Sequence, residues 1–484
     1  MNAMKEFMSD LKARLRNITD YTIYGKRLGY LNPWTVIIDA AALAYTIATL
    51  DLNGGPEERH PAILAAIILA LLLWDITGLM KEFGTYFSHG KYFNIHDRHT
   101  RPCKELKPAP RLEEAYPQHT CFRHDIIIYS DKINRLLGPG PKITVRIRHS
   151  HRKHTLNYIR TFKYTLHPFL SSMWHKMNRN EGSFYNEKKL CMGSEFHIDD
   201  KGRETVYLCK GSYYDSYLTN SIYARCITHQ NNYKIFAPLN PSNYRVTLLE
   251  DSKMDDHIGV STLAISTDGK VFILHHNEKA ATQPNTLTPS GSGSVDFADL
   301  KRAWKRYKKD LRKNRRKGSR ESLDFRDIII TAVERELMEE TLIGREDIDR
   351  TEIVGYYRDM KRGGKPEFCC VTYLTKNSIE ITDKMQAEFA EHRNGIIKFR
   401  IMKTKYNGEK VLNGPDMDIF EKTVCDDTDE EYTDDTPSLA LYMNYVMLCN
   451  RFGRRPKEWH CPERCTQKCP YGRMQEQSLE EAAR

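Results

Sequence analysis

Cysteine is scarce: 12 in 484 residues, too few to scaffold a chain of this size through disulfides. Glycine (27) and proline (20) are equally modest, which excludes collagen-like and low-complexity chains. Neither sign of charge dominates. Lys and Arg total 74 against 64 Asp and Glu, a formal charge of +10, so a uniformly acidic or basic solvating chain is excluded. Long apolar runs are also few, and both lie before residue 81. What remains is 40% hydrophobic and 29% charged, a composition that folds rather than staying disordered. At about 150 residues per domain the length allows roughly three domains.

The two apolar runs are TVIIDAAALAYTIATL (35–50) and PAILAAIILALLLWDITGLM (61–80), separated by the turn-rich DLNGGPEERH. A membrane span takes about 20 apolar residues. The expectation is therefore a cytoplasmic segment 1–33, transmembrane helices at 34–52 and 60–80, and a cytosolic remainder. The competing reading is a helical hairpin buried within protein. Lys and Arg flank the pair on the outside of the hairpin, while the connecting loop holds only Arg59. By the positive-inside rule both termini are expected to be cytoplasmic and the protein to be a multi-pass membrane protein, and the family resemblance described below makes that membrane the bacterial inner one. Asp39 and Asp75 would then sit at similar depth, either as a hydrogen-bonded pair or as a polar seam between copies of the hairpin.

Residues 81–194 carry the basic run RIRHSHRKH (146–154) and two helix-like stretches; they read as a mainly helical juxtamembrane connector. The basic run suits an anionic headgroup, a metal or simply a solvated face. From about 195 the pattern changes. HIGVSTLAIS, TDGK and VFILHH read as two strands about an Asp-Gly turn. TEIVGYYRDM and FCCVTYLT read as strands flanking KRGGKPE, and PSLALYMNYVMLCN as a helix. Mixed strands and helices imply an α/β or α+β domain over 195–454. The tail, 455–484, places His460, Cys461, Cys465 and Cys469 close together. Their spacing departs from zinc and iron–sulfur loops, so free thiols are the simpler reading.

The densest chemistry is Arg335-Glu336-Leu337-Met338-Glu339-Glu340 within the amphipathic stretch 327–343. On a helix Glu336, Glu339 and Glu340 share one face. They repel one another unless a hard cation, Mg²⁺ or Mn²⁺, joins them, or unless they form an ordinary solvated acidic face. Upstream, residues 300–320 hold twelve Lys and Arg against one Asp, so the whole formal charge of the chain traces to this segment. It reads as a helix capped by Asp296 or Asp299. A multiply phosphorylated ligand, an anionic leaflet or the acidic stretch 426–435 are its candidate partners.

The hexapeptide resembles the core of the NUDIX box, R-E-U-x-E-E, with Ile343 as the closing apolar residue. The glycine-rich Pro289-Ser290-Gly291-Ser292-Gly293-Ser294 stands in the position of the family's glycine loop. The resemblance implies catalytic or metal-binding roles for Glu336, Glu339 and Glu340, with Arg335 orienting them. It implies ligand contacts at Gly291 and Gly293, joined by Lys301, Arg302, Lys305 and Arg306 of the basic insertion 297–323. Asp327 replaces the box's leading Glu, Glu321 its leading Gly and Leu342 its late Gly. Taking Gly293 as the glycine equivalent, about 27 residues are inserted between the glycine loop and the helix. These departures favour a nucleotide sensor over a hydrolase. Tyr213, Tyr214, Tyr356 and Tyr357 are candidates for base stacking or for core packing.

A membrane hairpin ahead of a NUDIX-like domain resembles the two-transmembrane NUDIX effectors of bacterial CBASS antiphage systems, where the domain is called SMODS-associated NUDIX. That resemblance implies a sensor for a cyclic oligonucleotide made by a partner CD-NTase. It further implies self-association on activation, disruption of the lipid bilayer and cell death. The alternative is a membrane-tethered, Mg²⁺-dependent NUDIX hydrolase of a nucleoside diphosphate derivative.

Overall fold

The computed structural model describes residues 2–30, 34–48, 59–88, 93–96, 107–122, 125–178, 186–223, 226–229, 234–236, 245–276, 286–313, 323–391, 397–401, 436–451, 453 and 456. The loop joining the two apolar runs, the acidic stretch 426–435 and the cysteine-bearing tail lie outside these residues.

Three helices open the chain: α1 (Asn2–Leu28), α2 (Trp34–Ala48) and α3 (Arg59–Ser88). Gly29 stops α1 with φ of +75°, a conformation that costs a side-chain-bearing residue about 1–2 kcal/mol. Tyr30 N–H then donates back to Gly25 O at 3.0 Å. The inner face of α1 buries Tyr21, Tyr24 and Leu28. Tyr21 stacks on Tyr86 near the end of α3 (4.4 Å) and on Trp174 (4.6 Å). Trp174 belongs to α5 (Lys163–Asn178), which follows α4 (Ser150–Thr161). Aromatic area, rather than aliphatic packing, ties the N-terminal helices to the body.

This arrangement overturns the expected membrane hairpin. Among the described residues no helix is long and apolar enough to cross a membrane. Helix α2 has 15 residues, about 22 Å at 1.5 Å each, short of the ~30 Å hydrocarbon core. Helix α3 continues past Asp75, Lys81 and Glu82 until Tyr86 is buried among α1 and α5. The second apolar run is thus one part of a longer helix anchored in the protein core. The expected multi-pass inner-membrane location falls with the hairpin. Asp39 and Asp75 are half-buried residues of α2 and α3. Both helices expose apolar side chains, among them Ile38, Leu73 and Trp74.

The body is α+β with mixed sheets. Its strands are β1 (Gln118–Phe122), β2 (Asp125–Tyr129), β3 (Thr144–Ile147), β4 (Leu190–Met192), β5 (His197–Ile198) and β6 (Glu204–Lys210). They continue with β7 (Gly259–Ile265), β8 (Val271–His276), β9 (Thr286–Thr288) and β10 (Gly291–Ser294). After helices α6 (Phe297–Lys313) and α7 (Phe325–Thr341) come β11 (Ile348–Asp359), β12 (Lys365–Leu374), α8 (Ser378–Glu391), β13 (Ile397–Ile401), β14 (Thr436–Pro437) and α9 (Leu439–Arg451).

The ten-stranded main sheet runs β14-β9-β8-β7-β12-β11-β2-β1, with β10 also on β7 and β13 also on β8. Strand β7 is parallel to β12 and antiparallel to β10. The Asp-Gly turn lies where expected, with Ile265 opposite Val271 and Gly269 at φ +77°. The loop before β12 turns on Gly363 and Gly364, both at positive φ. A smaller sheet pairs β6 with β3, β4 and β5. Residues 81–194 hold helices, and β1 and β2 within them extend the main sheet.

Side-chain alternation explains the layers. In β12, Phe368 and Cys370 enter the core beneath α7, while Cys369 and Val371 enter the core beneath α9. In β11, Ile353 and Tyr356 take the first face, Val354 and Tyr357 the second. A strand of period two buried on both faces needs apolar residues at successive positions, which is what these strands supply. Tyr214, Tyr356 and Tyr357 are consequently core side chains, and base stacking is closed to them in this packing.

Candidate functional site

Helix α7 begins at Asp324, whose carboxylate accepts from Arg326 N–H at 3.1 Å, a cap that satisfies one of the open first-turn donors. Phe325, Ile328, Ile329, Ala332, Val333 and Leu337 anchor the helix on the sheet. The helix ends at Leu342 in the left-handed region, φ +61°. The NUDIX pattern has glycine at this position, the residue that adopts such a φ without strain.

The polar face of α7 lies on β10, and the two glycines of β10 make this possible. A Cβ on Gly291 would sit 2.7 Å from Leu337 Cα; one on Gly293 would sit 2.2 Å from the Glu336 carboxyl carbon. Strand and helix therefore touch backbone to backbone. Ser292 N–H donates to Glu340 Oε2 at 2.9 Å, and Ser294 N–H to Glu336 Oε1 at 3.1 Å. The separated glycine motif and the acidic hexapeptide thus meet as one unit.

Arg335 is the hub. Its Nε donates to Asp299 Oδ1 at 3.0 Å, and its Nη2 to Asp299 Oδ2 at 3.0 Å and Ser294 O at 2.9 Å. Nη2 also lies 2.9 Å from Glu336 Oε1, while Nη1 reaches Glu339 Oε2 at 2.9 Å. Asp299 is fully buried and takes a second cation, Arg302, at 2.7 Å. Asp296 pairs with Lys189 at 2.7 Å. Five carboxylates thus face three cations. Burial, reinforced by Glu339, pushes the Glu336 carboxyl up to about 7. Burial and the neighbouring Glu336 hold Glu340 well above the usual carboxylate range. Both carboxyls therefore hold a proton more readily than a solvated glutamate does, and Glu336 changes charge near neutrality.

Oxygen-only donors suit a hard cation such as Mg²⁺ or Mn²⁺. Glu339, however, is turned to Arg335, and no group of three or more His, Cys, Asp or Glu among the described residues is placed to hold one ion. One cation shared by all three glutamates would require Glu339 to leave Arg335.

Arg302 belongs to Asp299, and Arg306 to the buried Glu334 at 2.6 Å, which also takes Arg345 at 2.7 Å. These two arginines fasten α6 to α7. Lys301 and Lys305 stay exposed. Gly291 and Gly293 serve the approach of α7, and Asp327 is exposed at the start of that helix. The centrality of Asp299 and Lys189 was not legible as site chemistry; Asp299 stood out only as a helix cap, and Lys189 gave no signal. The chain matches no protein-family model and no curated protein.

Proposed function

We propose that the β10–α7 unit is a NUDIX-like site for nucleotide phosphates, used to sense a ligand rather than to turn it over. The observation carrying this reading is the engagement of the acidic face by the protein itself. Glu336 and Glu340 are held by the amides of Ser294 and Ser292, and Glu339 by Arg335. A hydrolytic site keeps its carboxylates available to the cation and the attacking water.

The resemblance to antiphage effectors supplies the ligand class: a cyclic oligonucleotide made by a CD-NTase, with self-association as the response and antiviral defence as the role. A ligand shifts such an equilibrium only by binding one assembly state more tightly than the other. The second reading is a Mg²⁺-dependent pyrophosphohydrolase of a nucleoside diphosphate derivative. It is favoured by Glu336, whose proton affinity near neutrality suits a general base.

The full chain should be titrated with cyclic di- and trinucleotides by calorimetry, with and without Mg²⁺, while products are followed chromatographically. Saturable binding of a cyclic nucleotide with no product is expected. Turnover that disappears in both Glu339→Gln and Glu340→Gln would instead establish the hydrolase.

A further inference from the structure

Away from the acidic face, five cationic side chains from five separate segments converge on one surface. Arg27 ends α1, Arg152 lies in the first turn of α4, Lys188 precedes β4, Lys210 ends β6 and Lys301 stands in the second turn of α6. The fold itself gathers them. Phe297 N–H, at the start of α6, donates to Lys188 O at 2.9 Å. Lys210 pairs with Leu190 across the β4–β6 ladder and sets its ammonium over the Phe297 ring at 5.5 Å. Arg27 and Arg152 approach the same Asp215 oxygen, at 3.7 and 4.0 Å.

Charge in this group is one-sided. Among the described residues Asp215 is the one carboxylate within ion-pair distance of the group; it is buried, also accepts from Tyr24 Oη at 2.8 Å, and serves two arginines at once, while the neighbouring buried Asp255 feels Arg152 as well. Among the described residues no carboxylate pairs with Lys188, Lys210 or Lys301. Lys210 is driven below the usual lysine range, first by burial and then by Lys188, Arg152, Lys301 and Arg27. Like charges held together by a fold cost stability unless an anion joins them. The rest of the basic run 146–154 is largely spent elsewhere. Arg146 pairs with Asp199 at 2.8 Å, Arg148 stacks over Tyr207 at 4.0 Å, and the buried His151 bonds Met254 O at 3.0 Å.

We propose that Arg27, Arg152, Lys188, Lys210 and Lys301 form a polyphosphate-binding site, separate from the carboxylate face of α7 and independent of a divalent cation. A di- or triphosphate group, inorganic or carried by a nucleoside, matches several converging cations in a way that a single phosphate does not. The site does not depend on the sensor reading above.

The test uses the full chain in EDTA, with inorganic tripolyphosphate as probe, orthophosphate and sulfate at matched ionic strength as controls, and adenosine triphosphate as the nucleoside arm. Lys210→Gln and the pair Lys188→Gln/Lys301→Gln are compared with Lys132→Gln, an exposed lysine of the short helix Asp131–Leu137. Lys210→Gln should melt at a higher temperature than wild type without ligand, yet bind tripolyphosphate about tenfold more weakly, the loss of one charged hydrogen bond. Lys132→Gln should change neither, and Glu336→Gln should leave the affinity unchanged. Tighter binding of adenosine triphosphate than of tripolyphosphate would identify a nucleotide ligand; equal binding would identify the phosphate chain itself. Equal affinity in Lys210→Gln and wild type, or binding that requires Mg²⁺ and falls with Glu336→Gln, would overturn the proposal.

Discussion

Replacing Glu336 by Gln should make the protein more stable above neutral pH and leave it nearly unchanged in acid. The carboxyl titrates near 4.5 in an unfolded chain and at about 7 in the folded one, chiefly because it is buried. The native state therefore binds its proton more tightly. The stability this group contributes is highest at and below pH 4.5, falls as pH rises toward 7, and carries a fixed penalty beyond. The difference corresponds to about 3 kcal/mol for this one group. Glutamine mimics the protonated carboxyl in shape and can still accept from Ser294 N–H, so it escapes the penalty. Urea unfolding of wild type and Glu336→Gln between pH 4.5 and 8.5 should give curves that coincide in acid and diverge with rising pH. Glu340 contributes a slope of the same sign to both proteins, so the difference between them is the quantity to read. If Mg²⁺ binds here, it should close the gap at pH 8 by stabilising wild type alone. A variant less stable than wild type by a constant amount at every pH would refute the electrostatic account. Glu336 would then be an ordinary hydrogen-bonded side chain.

Gly291→Ala should cost about 1–3 kcal/mol, because the new Cβ meets the Leu337 backbone, which cannot yield; thermal unfolding reads this directly. Gly293→Ala meets only the end of the Glu336 side chain, so stability should hold while nucleotide affinity, measured by calorimetry, falls. Leu342→Gly should be nearly neutral in urea unfolding, since relief of about 1 kcal/mol of left-handed strain offsets the loss of a half-buried side chain; Leu337→Ala, fully buried on the same helix, should cost about 2–5 kcal/mol. Arg358→Met should cost about 3–5 kcal/mol by stranding the buried Glu195, with which Arg358 pairs, and the double variant Arg358→Met/Glu195→Gln should recover part of that loss.

Local signals were legible wherever one element carried its own reason. The strands of 257–276 and 351–375 announced themselves through β-branched and aromatic residues around Asp-Gly and Gly-Gly turns. Helix α7 was legible in its apolar face and its acids. The union of glycine loop and acidic helix was legible through the resemblance of the hexapeptide to a known motif, and not through spacing, which the insertion breaks. The N-terminal runs misled for a physical reason. An apolar run reports composition, and leaves open how long the helix is and what covers it: α2 spans only 15 residues, and both helices leave apolar side chains exposed. The difference lay in Tyr21, Tyr86 and Trp174, three aromatic residues far apart in sequence whose stacking decides where α3 ends.

The arginines of α6 illustrate a deeper limit. A count of positive charge treats Lys301, Arg302, Lys305 and Arg306 alike, yet their partners separate them completely. Arg302 and Arg306 face acids that are all but fully buried, Asp299 and Glu334. Each is bound to its acid, and removing the arginine would leave a charge stranded in the interior. Lys301, one position before Arg302, is exposed and has no acid among the described residues, and its charge is felt by Lys210 instead. Helical geometry turns successive residues by about 100°, so one basic segment divides into a structural half and a surface half. The net charge of the chain is therefore no guide to its binding surface. What matters is which cations the fold leaves without an acid, and that is decided by α1, α4 and β6, whose sequences carry no phosphate-binding motif.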